Sequence, residues 1–428
     1  MRVTTAGAPA ARLAETDRPP FRPGSSIRRR LPQPTAIAVF VVTALSFLRI
    51  RLIGELFVVE LILAVIVILH VLRYKRLTLE KPLGLVIVLL ALWLYGQIFT
   101  DIYRESAFVD YARGWARILF TGLNLLGLYL LVGVDATRVR TAFLGLVASQ
   151  ITGYFLAPTV YAHTMPWKFG FAYPLTTLAT VIACNARIRR HRLGPFCILG
   201  AMAVLNLLLG ARSLAGVGLI SSFLTTIVNG DRSSTGTASR GRVLTILLLG
   251  GLAALMGSYL YASLAASGWL GASAQLKYEM QSKGRYSFLL GGRHQIVFSS
   301  LAIRESPIVG HGSFAKGSSQ IRDAGVAKLE GWGYEYLDLV DDQMGLLPTH
   351  SCIFGMWVDT GVLAVPFWLF FLVLLWRGCT HAIQYGGVLA PLKIFIAMAL
   401  AWDVLFSPFG ADRRLTIPLG ILLLLSRR

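Results

Sequence analysis

Apolar residues in this chain fall into about a dozen runs, at 34–48, 52–72, 82–99, 118–132, 141–156, 171–183, 195–209, 213–228, 243–262, 352–376, 388–406 and 415–425. Each approaches the roughly 20 residues that a helix needs to cross a bilayer core, and neighbours or snorkelling side chains make up the shortfall of the shorter ones. Only Arg49 and Arg51 separate the first two runs, so their division is the least sharp. The connectors are short with one exception, the polar stretch from Ser263 to His350. The pattern predicts an all-α, polytopic integral membrane protein of about 12 transmembrane helices with one large, partly helical loop. A connector of that length between spanning helices reads as functional rather than as a linker.

Lys and Arg are unevenly shared between alternate connectors, which sets an orientation. One side carries Arg28, Arg29 and Arg30, the stretch from Arg73 to Arg76, the stretch from Arg187 to Arg192, then Arg232, Arg240, Arg242, Arg427 and Arg428. We assign that side, and both termini, to the cytoplasm. The long loop then lies on the outer side, with Arg212, the connector before Lys168, and the turn holding Arg413 and Arg414. The expected organisation is a basic, disordered cytoplasmic tail over 1–33, nine spans over 34–262, the loop over 263–351 and three spans over 352–428. The tail lacks the apolar content to pack on its own, and no small-residue cleavage site follows the first apolar run, so it reads as retained.

Composition agrees with this class: 55% of residues are hydrophobic and 14% charged, with a mean hydropathy of +0.64. A net charge of +20 would point to nucleic acid in a soluble protein, but here it sits beside apolar runs and is explained by the membrane. Of the four cysteines, Cys184, Cys197 and Cys379 fall at expected cytoplasmic helix ends and only Cys352 lies near the outer face. No outer disulfide is therefore expected, nor does any Cys/His spacing suggest a metal site or a cofactor. No internal repeat or inverted pair of broken helices is visible, which weighs modestly against a repeat-built transporter.

Polar residues within spans are costly and mark candidate chemistry. Glu55, Gln97, Asn206 and Asp403 are expected in the outer halves of their helices, with Arg212, Arg413 and Arg414 at the outer boundary; Glu60 and Asn124 lie deeper, and Lys393 is placed to snorkel. Interhelical hydrogen bonds and an Asp403 to Arg pair are the bland account, and an anion site the sharper one. Arg212, on a tight turn between two apolar helices, would suit a lipid-linked phosphate. In the loop, Arg293 precedes an amphipathic run with Ile296, Val297, Leu301 and Ile303 on its apolar side. Gly310 and Gly312 permit a tight turn beside His311. His350 stands where the loop meets the next apolar run and can accept a proton or donate to a phosphate oxygen, with His294 and His311 as rivals. Glu330, Glu335, Asp338, Asp341 and Asp342 are alternative bases or a solvated acidic face. Trp269, Tyr286, Trp332, Tyr334 and Tyr336 suit sugar stacking or interface anchoring alike.

The series Arg212 in GARS, Arg293 in GGR, GHGSF from Gly310 to Phe314, and His350 in THSCIFGMWVDTGVLA resembles the O-antigen ligase and O-antigen polymerase superfamily, over about 205–425. The resemblance implies a metal-independent, inverting glycosyltransferase of the bacterial inner membrane. Such an enzyme moves a glycan from an undecaprenyl-diphosphate carrier to an acceptor glycan or lipid A core at the periplasmic face. It further implies that Arg212 and Arg293 engage the diphosphate and that His350 stands near the acceptor. Arg413, Arg414, His311, His294 and Asp403 are further substrate-binding candidates. Two positions depart from the family pattern: Ser351 stands where an Asn often follows the histidine, and a Gly-x-x-Gly becomes Gly361 to Ala364. Ligase and polymerase stay open as alternatives, with a lipid-linked glycan transporter behind them.

Overall fold

Thr35 opens the first helix by accepting the Ala38 N–H on its hydroxyl at 3.2 Å, a side-chain cap for otherwise orphan donors. In the computed structural model, which describes residues 35–191, 193–230, 240–282, 293–334 and 345–426, α1 (Ala36–Ala44) does not run on to the expected span end. It tightens into a 3-10 turn (Leu45–Phe47) and leads into an antiparallel hairpin of β1 (Arg49–Arg51) and β2 (Glu55–Phe57). Arg49 pairs across the hairpin with Glu55 and also with Asp412, each at 3.3 Å. Glu55 is thus a strand residue, not the intrahelical carboxylate that hydropathy suggested. The charge on both strands holds this segment at a surface, where ion pairs cost little.

Helices follow almost without interruption: α2 (Val58–Tyr74), α3 (Lys81–Tyr103), α4 (Phe108–Val132), α5 (Ala136–Leu156), the short α6 (Val160–Thr164), a π-helical turn (Trp167–Phe171), α7 (Ala172–Ala183), the short α8 (Ala186–Arg190), α9 (Gly194–Leu208), α10 (Arg212–Gly230), α11 (Arg240–Ala266) and α12 (Ala272–Ser282). The long loop contributes α13 (Gln295–Glu305) and α14 (Ser319–Glu330); the chain ends in α15 (Cys352–Thr360), α16 (Val365–Tyr385), α17 (Ala390–Phe406) and α18 (Arg413–Leu425). Among the described residues three helical stretches are long and apolar enough to cross a membrane: Lys81–Tyr103, Phe108–Val132 and Val362–Tyr385. Ala36–Phe47, Gly194–Leu208 and Arg212–Val228 are apolar but shorter.

The core gathers around the last two helices. Every residue of α18 from Arg414 to Leu424 is buried, the signature of a helix apolar on all sides and enclosed by others. α17 shields it, with Leu392, Ile394, Phe395 and Ile396 fully enclosed, and α4, α5 and α16 complete the surround. The run 352–376, expected as one span, is two helices. It breaks at Gly361, whose φ of +78° and ψ of −162° no helix contains, and a 3-10 turn (Val362–Ala364) restarts it.

One end of this bundle collects several connectors. Arg49 reaches Asp412, Arg104 donates to the Gly310 carbonyl at 2.9 Å, Lys316 pairs with Asp110 at 3.3 Å, Trp167 donates to Asn206 at 3.0 Å, and Arg293 donates to the Phe406 carbonyl. At the opposite end Lys393 donates to the Ser426 carbonyl at 2.7 Å, and Val228 lies against Gly386. The long loop is therefore packed on the first end, where α13 rests on α15.

Candidate functional site

Arg293 lies just before α13, and its guanidinium stacks over two rings of α17, Trp402 at 5.3 Å and Phe406 at 5.2 Å. Such stacking orients a guanidinium while its remaining N–H groups can face a ligand. One turn back along α17 is Asp403, which forms an ion pair with Arg413 at the start of α18 and lies within electrostatic reach of Arg293. The Asp403 to Arg pair expected from sequence is present, and it sits beside Arg293 rather than apart from it.

His350 comes to the same place from the other end of the loop. The backbone beyond it is fixed: the Ser351 hydroxyl caps α15 by accepting the Phe354 N–H at 3.3 Å and donates to the Val404 carbonyl at 3.0 Å, and the Cys352 thiol donates to the Ser407 carbonyl at 3.2 Å. Burial holds the His350 imidazole below its ordinary pKa, helped by the nearby charges of Arg293 and Lys168. Burial, with His350 as neighbour, pushes His294 down to about 4. Both rings are therefore neutral near pH 7 and able to accept a proton. Arg293, His294, His350, Asp403 and Arg413, drawn from three separate stretches, form one cluster with Lys168, which the sequence reading had used only to mark a connector.

Arg212 begins α10 and lies over the Tyr261 ring of α11 at 4.8 Å. Its turn is closed by the Ala211 N–H on the Asn206 carbonyl at 2.7 Å, and Asn206 accepts from Trp167 and donates to Thr176 at 2.9 Å. The turn before Arg212 is thus linked through Asn206 to the π-helical turn carrying Lys168.

Arg414 points elsewhere. Its Nε lies 3.1 Å from Glu60 Oε1, it donates to the Glu55 carbonyl at 2.6 Å, and Asn124 donates to Glu60 at 3.2 Å. Glu60 is wholly enclosed, so Arg414 neutralises a buried carboxylate and does not join the candidate diphosphate ligands. Removing one partner of such a pair leaves an uncompensated charge and costs about 3–5 kcal/mol. Arg414→Ala is accordingly expected to lower the thermal unfolding midpoint of the detergent-purified protein sharply, whereas the double change Glu60→Leu with Arg414→Met should recover much of it.

His311 also lies apart from the cluster. Its Nε2 is hydrogen-bonded to the Ala302 carbonyl at 2.8 Å, and its N–H donates to the Val358 carbonyl at 2.8 Å, closing the GHGSF turn against α13 and α15. That turn is anchored by a residue the sequence gave no reason to single out. Asp101 accepts from the Ser313 N–H at 2.6 Å, the Ser313 hydroxyl at 2.7 Å, Trp115 at 2.8 Å, Ser106 at 2.8 Å and Gln97 at 3.2 Å. Gln97 and Ser106 are its neighbours in sequence, but Ser313 is 212 residues away, so only the fold brings the turn to it. Of the alternative carboxylates, Glu330 is exposed at the end of α14, while Glu335, Asp338, Asp341 and Asp342 lie outside the described residues, as do Tyr286 and Tyr336. Trp269 is 84% exposed, Tyr334 is buried, and Trp332 carries Lys328 over its ring at 5.2 Å. Among the described residues no group of three or more His, Cys, Asp or Glu side chains is arranged to hold a metal ion.

No family model, no curated protein and no solved structure matches this chain.

Proposed function

We propose that the cluster of Arg293, His350, His294, Lys168, Arg413 and Asp403 is the active site of an inverting glycosyltransferase that uses an undecaprenyl-diphosphate-linked glycan. The supporting observation is an imidazole held in its neutral form between the cations of Arg293 and Lys168 at the end of an apolar bundle. A glycosyl diphosphate already carries a good leaving group, so catalysis needs charge stabilisation and a positioned acceptor hydroxyl. In this reading His350 accepts the proton of the acceptor hydroxyl as that oxygen bonds to the anomeric carbon. The bond from that carbon to the diphosphate oxygen breaks on the opposite face, and Arg293, Lys168 and Arg413 receive the diphosphate charge. The exposed apolar flanks of the helices suit the lipid tail. The proposal includes about 12 membrane crossings in a bacterial inner membrane, with this end in the periplasm and the termini in the cytoplasm. The acceptor is a lipid A core for a ligase; an O-antigen or exopolysaccharide polymerase is the alternative, its acceptor a second carrier-linked glycan.

The test is reconstitution with a defined undecaprenyl-diphosphate oligosaccharide and each acceptor in turn, with chelator present. Transfer is expected; movement of labelled carrier lipid across vesicles without transfer would overturn the reading in favour of a transporter. In cells, loss of a polymerase leaves single-repeat caps, and loss of a ligase leaves long chains on the carrier.

A pH dependence follows from the depressed imidazole. The rate is expected to be level around pH 7 and to fall in acid only below 6.5, the ordinary histidine value, as His350 takes up a proton. Lys168→Gln removes a like charge, so His350 binds its proton more readily and the acid limb moves to higher pH. The same rings affect stability: between 6.5 and about 4 the unfolded chain protonates at His294 while the folded one does not, so stability falls as pH drops through that window.

A further inference from the structure

α15 is a strut of nine residues, about 13 Å long at 1.5 Å per residue, with His350 just before its first residue and Asp359 near its last. The His350 end is tied to α17 and the turn after it through Ser351 and Cys352. The Asp359 end is tied to the hairpin of α3 and α4. Arg117 Nη2 lies 2.8 Å from Asp359 Oδ2, the Ala315 N–H donates to Asp359 Oδ1 at 3.4 Å, and the Asp359 carbonyl accepts the Gly312 N–H at 3.0 Å. Its neighbour Thr360 bonds Gln97 and accepts from Trp93 at 3.2 Å. The Arg117 guanidinium lies 5.3 Å from the Phe314 ring and 5.9 Å from the Phe409 ring. Phe314 belongs to the GHGSF turn, and Phe409 to the turn that leads into Arg413. One cation thus touches the strut, the long loop and the approach to the candidate diphosphate site.

Stability alone is a poor reason for this pair. Both side chains are largely withdrawn from water, at 12% and 10% exposure, and the Arg117 Nε is buried without a hydrogen-bond partner, so desolvation offsets much of the attraction. What the pair supplies is direction, since a guanidinium to carboxylate contact fixes orientation more tightly than apolar packing. We propose that Arg117 and Asp359 are positioning residues: they fix the far end of α15 so that His350, at its near end, is held beside Arg293 and the Asp403 to Arg413 pair. This rests on the reading of that cluster as the transferase site.

The test uses full-length protein in a Cys197→Ser background, which removes the exposed thiol, with Asp359→Asn as the shape-conserving change. In the reconstituted transfer assay, Asp359→Asn is expected to lower kcat roughly 100-fold, the penalty for about 1 Å of misplacement, with KM little changed, and Asp359→Glu should recover much of the loss. Independently, alkylation of the buried Cys352 by N-ethylmaleimide, followed on its own peptide by mass spectrometry, is expected to accelerate about tenfold in Asp359→Asn, the factor for a loosening of about 1.4 kcal/mol. An unchanged kcat or an unchanged Cys352 rate overturns the proposal. If the parent protein transfers no glycan, the proposed function falls and the Cys352 rate alone decides the strut. Should Asp359→Asn not accumulate in membranes, Arg117→Lys is read by the same two measurements.

Discussion

Arg293→Ala is expected to abolish glycan transfer, by about a thousandfold or more, while the protein still inserts at normal levels. Removing a single preoriented donor to a developing anion costs about 100- to 1,000-fold, and here the alanine also frees the space in which Trp402 and Phe406 hold the guanidinium. Arg293→Lys should recover only part of the activity, because an ammonium lacks the planar fork that stacks on rings and grips phosphate oxygens. His350→Ala should be comparably severe and should abolish the acid limb of any residual rate. The measurement is single-turnover transfer from a defined undecaprenyl-diphosphate oligosaccharide, beside surface glycan in a complemented deletion strain. Normal glycan with both variants would sink the assignment.

Gly361→Ala is expected to be the most damaging small substitution for the fold. At Gly361 the backbone adopts φ +78° and ψ −162°, a region that only glycine occupies without strain of about 1–3 kcal/mol. A Cβ there would also lie 2.0 Å from the Ile308 carbonyl oxygen and 2.6 Å from the Val309 carbonyl carbon, both backbone atoms. Gly310 meets it from the other side, since a Cβ on Gly310 would lie 2.5 Å from the Gly361 nitrogen. The two glycines form the closest approach of the long loop to the break between α15 and α16, beside the hydrogen bonds from His311 and Gly312 to Val358 and Asp359. Gly361→Ala should therefore lower the unfolding midpoint well beyond Arg414→Ala and release the loop to protease. Gly216→Ala, in α10 with nothing within 4 Å of the added carbon, should be neutral or slightly stabilising. Equal behaviour of the two alanine variants would remove Gly361 from this role.

Ser351 ties the end of the long loop to the bundle. Its hydroxyl accepts from Phe354 and donates to Val404, so it ties α15 to α17 one residue from His350 and next to Asp403. A helix cap needs a short side chain with an acceptor, and serine serves there as well as asparagine.

Hydropathy alone determined that the chain is helical and that its helices are apolar, because these follow from local composition. It also singled out Arg212, Asp403, Arg413 and Arg414, since charge next to apolar runs is expensive enough to need a reason. What it did not determine was which of two neighbours does what. Arg413 and Arg414 are adjacent, yet successive residues on a helix point about 100° apart, so one meets Asp403 on α17 and the other Glu60 on α2. Nor did it show that Glu55 lies in a hairpin, that the run 352–376 breaks at Gly361, that Asp101 anchors the GHGSF turn, or that Arg117 pairs with Asp359. The last two depend on contacts between residues more than 200 apart in sequence. A pattern read along one dimension records the cost of placing a charge, but only the folded chain supplies the partner that offsets it.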